Sequence, residues 1–280
     1  MALRQRTGSV LCTSCGVLVG VGDATCYNCG RRNPGLWGFA PILRNFGRDL
    51  GFVPFIMGTC ILAFVASLLL SRGLASGNPL NLLSPDSRAL LALGASGAIP
   101  VFGMGRWWTV LSASWLHGGL LHIFFNLMWV RQLAPATAEL YGPGRSVIIY
   151  TLAGIAGFAL SSFAGAYLPD LFILRGGQFT VGASAPIFGL LGALVYYGRR
   201  TGSQAVHGQA VSWALGMGLF GLFMPGIDNY AHAGGFLGGF LMGRILDPLK
   251  PERIDHLALG TLCLAASVGA ILYSAWTILG

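Results

Sequence analysis

Asn229-Tyr-Ala-His232-Ala-Gly-Gly235-Phe-Leu-Gly-Gly239-Phe-Leu-Met-Gly243 decides the fold. The run carries no fixed charge, and Gly235, Gly239 and Gly243 recur at every fourth position. On a helix that spacing makes a flat stripe against which a second backbone can pack closely. Apolar residues fill the remaining faces, so the segment belongs inside lipid or inside protein that lies in lipid. His232 stands at the head of the stripe. An ionisable side chain at such a depth is costly and usually marks a working site.

The rest of the chain agrees with that reading. Of 280 residues, 54% are hydrophobic and 9% charged, against roughly 25% charged in a soluble domain. Charge-poor runs predict seven spans, at 52–70, 116–133, 146–167, 181–197, 210–223, 230–246 and 257–279; a helix needs about 20 apolar residues to cross the hydrocarbon core. The fourth to sixth are short and rich in glycine, which fits helices enclosed by protein better than helices bathed in lipid. Residues 71–115, broken by Pro79, Pro85 and Pro100, read as a partly embedded loop. The net charge of +8 comes with no basic run, so nucleic acid is not an expected partner and the basic residues are read as topology signals. With the N-terminus in the cytoplasm, the 17 Lys and Arg divide 13 inside to 4 outside. Each even-numbered span then starts at the outer face, which brings His122, Asn126, Ser184 and His232 to a similar depth in one leaflet.

Each of these polar residues has a plain reading as well. His122 and Asn126 are four apart and share a helix face, so both can donate toward one point, or can equally satisfy a neighbouring helix's backbone. His117 is expected to anchor a loop through a hydrogen bond. Gly182-Ala-Ser184 alone reads as helix packing. If the fourth span packs through Gly189 on the stripe of the sixth, however, Ser184 meets His232 and becomes a serine with an adjacent base. None of the acidic residues, Asp23, Asp49, Asp86, Glu139, Asp170, Asp228, Asp247, Glu252 and Asp255, is embedded beside the histidines, so a Ser–His dyad is expected rather than a triad.

Ahead of the first span stand Cys12-Thr-Ser-Cys15-Gly16 and Cys26-Tyr-Asn-Cys29-Gly30, two CxxC knuckles with ten residues between them. That pattern predicts a zinc ribbon in which four thiolates close a tetrahedral structural site. A segment so poor in apolar core needs the metal to fold. No cleavable apolar leader precedes the knuckles, so the head is expected to be retained, and to be dispensable for chemistry on the opposite side of the membrane. Cys60 and Cys263 read as packing residues.

Taken together, His117-Gly-Gly with His122-x-x-x-Asn126, Gly182-x-Ser184, and Ala231-His232-x-x-Gly235-x-x-x-Gly239, in that order, resemble the rhomboid family of intramembrane serine proteases over residues from about 90 to 243. The resemblance implies an all-α polytopic membrane protein: a six-helix core over 52–247 and a further C-terminal transmembrane helix over 248–280. Before them come the head, 1–35, and a linker, 36–51. It implies that Ser184 attacks a peptide carbonyl and His232 takes its proton. His122, Asn126 and the Ser184 backbone N–H would stabilise the oxyanion, with Phe188 packed on the His232 ring, and with His117, Gly182, Gly235 and Gly239 in support. Substrates would be transmembrane segments of anchored proteins, cut toward the outer face of a bacterial plasma membrane, with zinc in the head and no cofactor for catalysis. Two positions depart from the family pattern: Ala185 where Gly commonly follows the nucleophile, and Thr109 where Arg commonly follows Trp108, with Arg106 a candidate substitute. The alternative function is a catalytically silent relative that binds or escorts membrane clients. A channel would need polar residues through the whole depth, and the inner halves of the spans are apolar.

Overall fold

A computed structural model describes residues 4–44, 49–73, 82–170, 174–224 and 226–280, with backbone only at 43 and 44. Pro79, Arg48 and the Arg44 side chain lie outside that description. Residues 4–35 form the head. Strands β1 (Ser9–Leu11) and β2 (Leu18–Gly20) pair antiparallel, with Val10 opposite Val19. Val10, Val19, Cys12 and Cys26 make up its small buried cluster. Each knuckle closes with the same bond, Gly16 N–H to Cys12 C=O and Gly30 N–H to Cys26 C=O, both 2.9 Å. Gly16 and Gly30 take positive φ, 74° and 71°, which a side chain would resist.

A short helix α1 (Ala40–Arg44) leads to the membrane part. Seven long helices follow, six of them the core and the last an addition: α2 (Phe52–Leu70), α5 (Leu120–Tyr141), α6 (Pro143–Tyr167), α7 (Ser184–Thr201), α8 (Gln204–Phe223), α9 (Asn229–Ile245) and α10 (Ile254–Leu279). Between α2 and α5 the embedded loop holds α3 (Ser87–Leu93), a π-helical turn at Ile99–Gly103 and α4 (Thr109–Ser112). Among the described residues, α2, α6 and α10 are by themselves long and apolar enough to cross a membrane. A fourth such stretch is bent by 92°, Thr109–Trp115 against Leu120–Tyr141. The chain is thus a multi-pass membrane protein. α7 is a protein-enclosed helix, with every residue from Ala185 to Val195 buried. α8, expected to be enclosed as well, is not: Ala210 and Gly221 are its buried residues, and Gly208, Gly216 and Gly218 meet no neighbour.

Element boundaries differ from the sequence reading where caps and tertiary contacts decide. α5 starts at Leu120 because the chain turns at Gly118-Gly119, and it runs past Arg131 and through Pro135 to Tyr141. α8 starts at Gln204, earlier than expected, because the Ser203 hydroxyl caps it by accepting from Val206 N–H at 3.4 Å. α7 starts at Ser184 rather than 181, since Gly182 at φ 137° is not helical.

α9 packs between α6 and α7, and glycine permits this on two faces. A Cβ on Gly235 or Gly239 would strike the carbonyl oxygens of Ala185 and Gly189 on α7. On the adjacent face a Cβ on Gly234 would lie 2.8 Å from Ala156 O, and one on Gly238 2.8 Å from Ala156 Cβ, both on α6. The stripe toward α7 is the one read in the sequence; the Gly234/Gly238 face toward α6 is additional.

Candidate active site

The segment entering α7 is pinned before the helix begins. Ser96 and Thr180 exchange backbone bonds of 3.0 and 2.8 Å, Ala98 N–H donates to Gly177 C=O, and Gly182 N–H donates to Ala113 C=O at 2.9 Å. The embedded loop therefore fixes where Ser184 emerges. In the first turn of α7 the ladder opens with Ile187 N–H to Ala183 C=O, and Pro186 has no N–H to offer. The Ser184 and Ala185 N–H groups stand at the positive end of the helix without a place in the ladder.

Close packing of α7 and α9 brings the Ser184 Oγ to 2.9 Å from the His232 Nε2. The His232 ring lies flat on Phe188, one turn below Ser184, with centroids 4.2 Å apart and planes 15° apart. His232 is 8% exposed, and its Nδ1 has no hydrogen-bond partner. Among the described residues no carboxylate contacts this imidazole, and the Phe188 ring lies against its face.

Asp228, the nearest acid in sequence, is engaged elsewhere. Its Oδ1 caps α9 by accepting from Ala231 N–H at 2.9 Å, and its Oδ2 accepts from the Ser161 hydroxyl of α6. Ser161 in turn accepts from Gly177 N–H at 2.9 Å. Asp228 directly ahead of the apolar run was the available N-cap signal, and the sequence reading did not use it.

His122 faces the same point. Its Nδ1 accepts from Gly118 N–H at 3.2 Å, so in the neutral ring the proton sits on Nε2. That nitrogen is 2.7 Å, and Ser184 Oγ 3.6 Å, from where a Cβ on Gly182 would stand. A side chain at 182 would fill the space between donor and nucleophile, which accounts for glycine there beyond its φ. The His117 ring is fully buried edge-on to His122, with centroids 5.2 Å apart. Asn126 is on the same helix face, yet its Nδ2 donates to the His122 carbonyl at 2.9 Å rather than toward Ser184. A buried helical amide can satisfy itself on the backbone carbonyl one turn back.

The two departures from the family pattern have structural counterparts. The Ala185 methyl is turned into a buried cluster with Ala113, Phe158 and Ala231. Thr109 bonds locally, its hydroxyl donating to Arg106 C=O at 2.7 Å. Arg106 does the long-range anchoring: Nη1 donates to Leu91 C=O at 2.7 Å, and Nη2 to Ser274 C=O at 3.1 Å and Thr277 Oγ1 at 3.3 Å. Trp108 Nε1 adds a bond of 2.9 Å to Ser274 Oγ. The embedded loop is thus tied to α10, a partnership that no local pattern signals.

In the head, the four cysteine sulfurs lie within 4.8 Å of one another, with Cys12–Cys29 at 3.8 Å and Cys15–Cys26 at 3.7 Å. A tetrahedral tetrathiolate with bonds of about 2.3 Å has sulfur–sulfur edges of about 3.8 Å. The residues fit a metal ion, and the donor set suits a soft one.

A family model described as the Rhomboid domain matches residues 104–248, just over half of the chain. RHOMBOID-like protein 4 of Arabidopsis thaliana is 32% identical over 177 residues, 60% of this chain and 41% of that protein. Rhomboid protease GluP of Bacillus subtilis (strain 168) is 32% identical over 199 residues, 68% of this chain and 36% of that protein. Rhomboid-like protease 5 of Toxoplasma gondii is 32% identical over 181 residues, 62% of this chain and 20% of that protein. The chain spans less than half of the length of these relatives, and the stretch that the family model matches contains His122, Ser184 and His232. By that match the chain belongs to the rhomboid family.

Proposed function

We propose that this protein is an intramembrane serine endopeptidase that cleaves transmembrane segments of membrane-anchored proteins. The observation that carries the reading is the 2.9 Å contact between Ser184 Oγ and His232 Nε2, made across α7 and α9. In the proposed reaction Ser184 Oγ attacks the peptide carbonyl and His232 Nε2 takes the hydroxyl proton. The oxyanion forms beside Gly182, where the His122 Nε2–H and the Ser184 N–H converge. Asn126 would add a donor by releasing the His122 carbonyl. His232 then returns its proton to the leaving amine, and a water repeats the cycle to free the acyl group. The Phe188 face supports the transient imidazolium as a cation–π partner. Substrate helices that unwind easily are favoured, because a helical carbonyl is already hydrogen-bonded.

With the N-terminus in the cytoplasm, as the basic residues favour, the dyad lies toward the outer face and the head inside, with zinc the metal in its site. The test is labelling with a mechanism-based serine reagent beside cleavage of a single-span substrate in liposomes. An unassisted serine hydroxyl is a poor nucleophile, so labelling reports the base as well. Label is expected at Ser184, absent in Ser184→Ala and strongly reduced in His232→Ala, with cleavage falling in parallel. A folded wild-type protein that takes no label and cleaves none of several substrates would support the client-binding alternative instead.

A further inference from the structure

The head is not a tethered appendage. Arg31 follows directly on the second knuckle, and its backbone is held by a ligand residue: its carbonyl accepts from Cys26 N–H at 2.8 Å. The side chain leaves the head and places Nη1 at 3.3 Å from Glu252 Oε2, in the segment between α9 and α10, with side-chain exposures of 0% and 1%. Glu252 Oε1 accepts from Arg145 N–H, in the first turn of α6, at 3.0 Å. The Arg145 guanidinium gathers the same corner by donating to the carbonyls of Asp247, Lys250 and Pro251. Beside the ion pair, Leu36 and Ala40 pack on Leu257 of α10.

A buried ion pair adds little net stability, but removing one partner strands the other charge at high cost. Burial pushes the Glu252 carboxyl above its ordinary value, and the Arg145 N–H and the Arg31 guanidinium pull it back. The carboxylate is therefore tolerated in this corner only with its partners in place. The position of Arg31 depends on a closed knuckle, and a closed knuckle of four thiols depends on its ion.

We infer that the head is a metal-dependent clamp on the core: ion binding by Cys12, Cys15, Cys26 and Cys29 sets Arg31 into its pair with Glu252 and so holds the corner where α6 meets α10. Loss of the ion frees Arg31, strands Glu252 and loosens that corner while α7 and α9 stay packed. The inference is independent of proteolysis, since it concerns order at the opposite end of the helices.

Hydrogen exchange followed by mass spectrometry tests it on the full chain in detergent, zinc-loaded and then stripped with a chelator under reducing conditions. Peptides over 143–147 and 247–257 are expected to exchange at least about tenfold faster after stripping, because a buried pair has lost one partner. Re-adding zinc should restore them, and peptides over 184–195 should not change. In Glu252→Gln, which leaves no carboxylate to strand when Arg31 departs, stripping should accelerate the same peptides far less. Faster exchange confined to the head, or an equal acceleration in Glu252→Gln, would overturn the clamp. The comparison of loaded and stripped wild type decides the matter even if the variant fails to fold.

Discussion

At the residue scale, the His232 imidazole carries the Phe188 ring on its face and, among the described residues, meets no carboxylate at its Nδ1 edge. Its Nδ1 has no partner and its ring is stacked on Phe188. A ring–cation contact is worth about 0.5–2 kcal/mol, so Phe188→Leu should lower kcat by roughly 2- to 30-fold with little change in KM. An equal fall in folded protein would show the ring to be structural only. Asp228 makes the converse case. It caps α9 and holds Ser161, so Asp228→Ala should cost about 1 kcal/mol of stability through the lost cap. Asp228→Asn keeps an acceptor for Ala231 N–H and should leave the pH dependence of kcat unchanged. A changed pH profile in Asp228→Asn would mean that the acid reaches the dyad after all. That Ser184, His232 and His122 come together was legible in the sequence because each stands near the start of its helix. The orientation of Asn126 was not, since spacing fixes a helix face but not which acceptor an amide chooses.

At the element scale, contact between α7 and α9 is what turns two separate residues into a site. The four-residue period of Gly235, Gly239 and Gly243 made that contact legible, whereas Gly234 and Gly238 are interleaved with them and the eye assigns only one face. Boundaries were less legible. Pro135 and Arg131 look like helix enders, yet α5 continues through both, because packing outweighs the single hydrogen bond a proline removes. Not every glycine here is structural in the same sense. A Cβ at Gly235 would strike Ala185 O, while Gly216 on α8 meets nothing within 4 Å. Gly235→Val should therefore abolish serine labelling, since a shift of about 1 Å can cost on the order of 10²-fold in a site that relies on alignment. Gly216→Ala should leave labelling intact and raise helix stability by up to about 1 kcal/mol. Parallel labelling and thermal unfolding of the two variants checks this, and similar behaviour of both would remove the packing argument.

At the scale of the whole molecule, the proposed chemistry and the docking of the head lie at two ends of one helical bundle. His232 opens α9 and the segment bearing Glu252 follows its end, some 13 residues or about 20 Å further along the axis. Chemistry at one end and docking of the head at the other are therefore separable in principle. The sequence alone made the head look dispensable, because Arg31 and Glu252 are 221 positions apart and nothing local announces their pairing. Their burial changes what truncation should do. A chain lacking residues 1–35 keeps Ser184, His232 and every helix, but leaves Glu252 in a pocket built for a partner. Breaking one side of a buried pair costs about 3–5 kcal/mol, enough to lower the melting temperature by several degrees in a protein of this size. Adding Glu252→Gln to the truncated chain removes the stranded charge and should recover part of that loss, although the same change is not expected to stabilise the intact protein. Activity per labelled molecule should be equal in all of these forms, because the dyad is remote from the change. The measurement is unfolding temperature beside active-site titration with the serine reagent. A truncated chain as stable as the intact one, or one that Glu252→Gln fails to rescue, would show that the ion pair contributes nothing to the stability of the core.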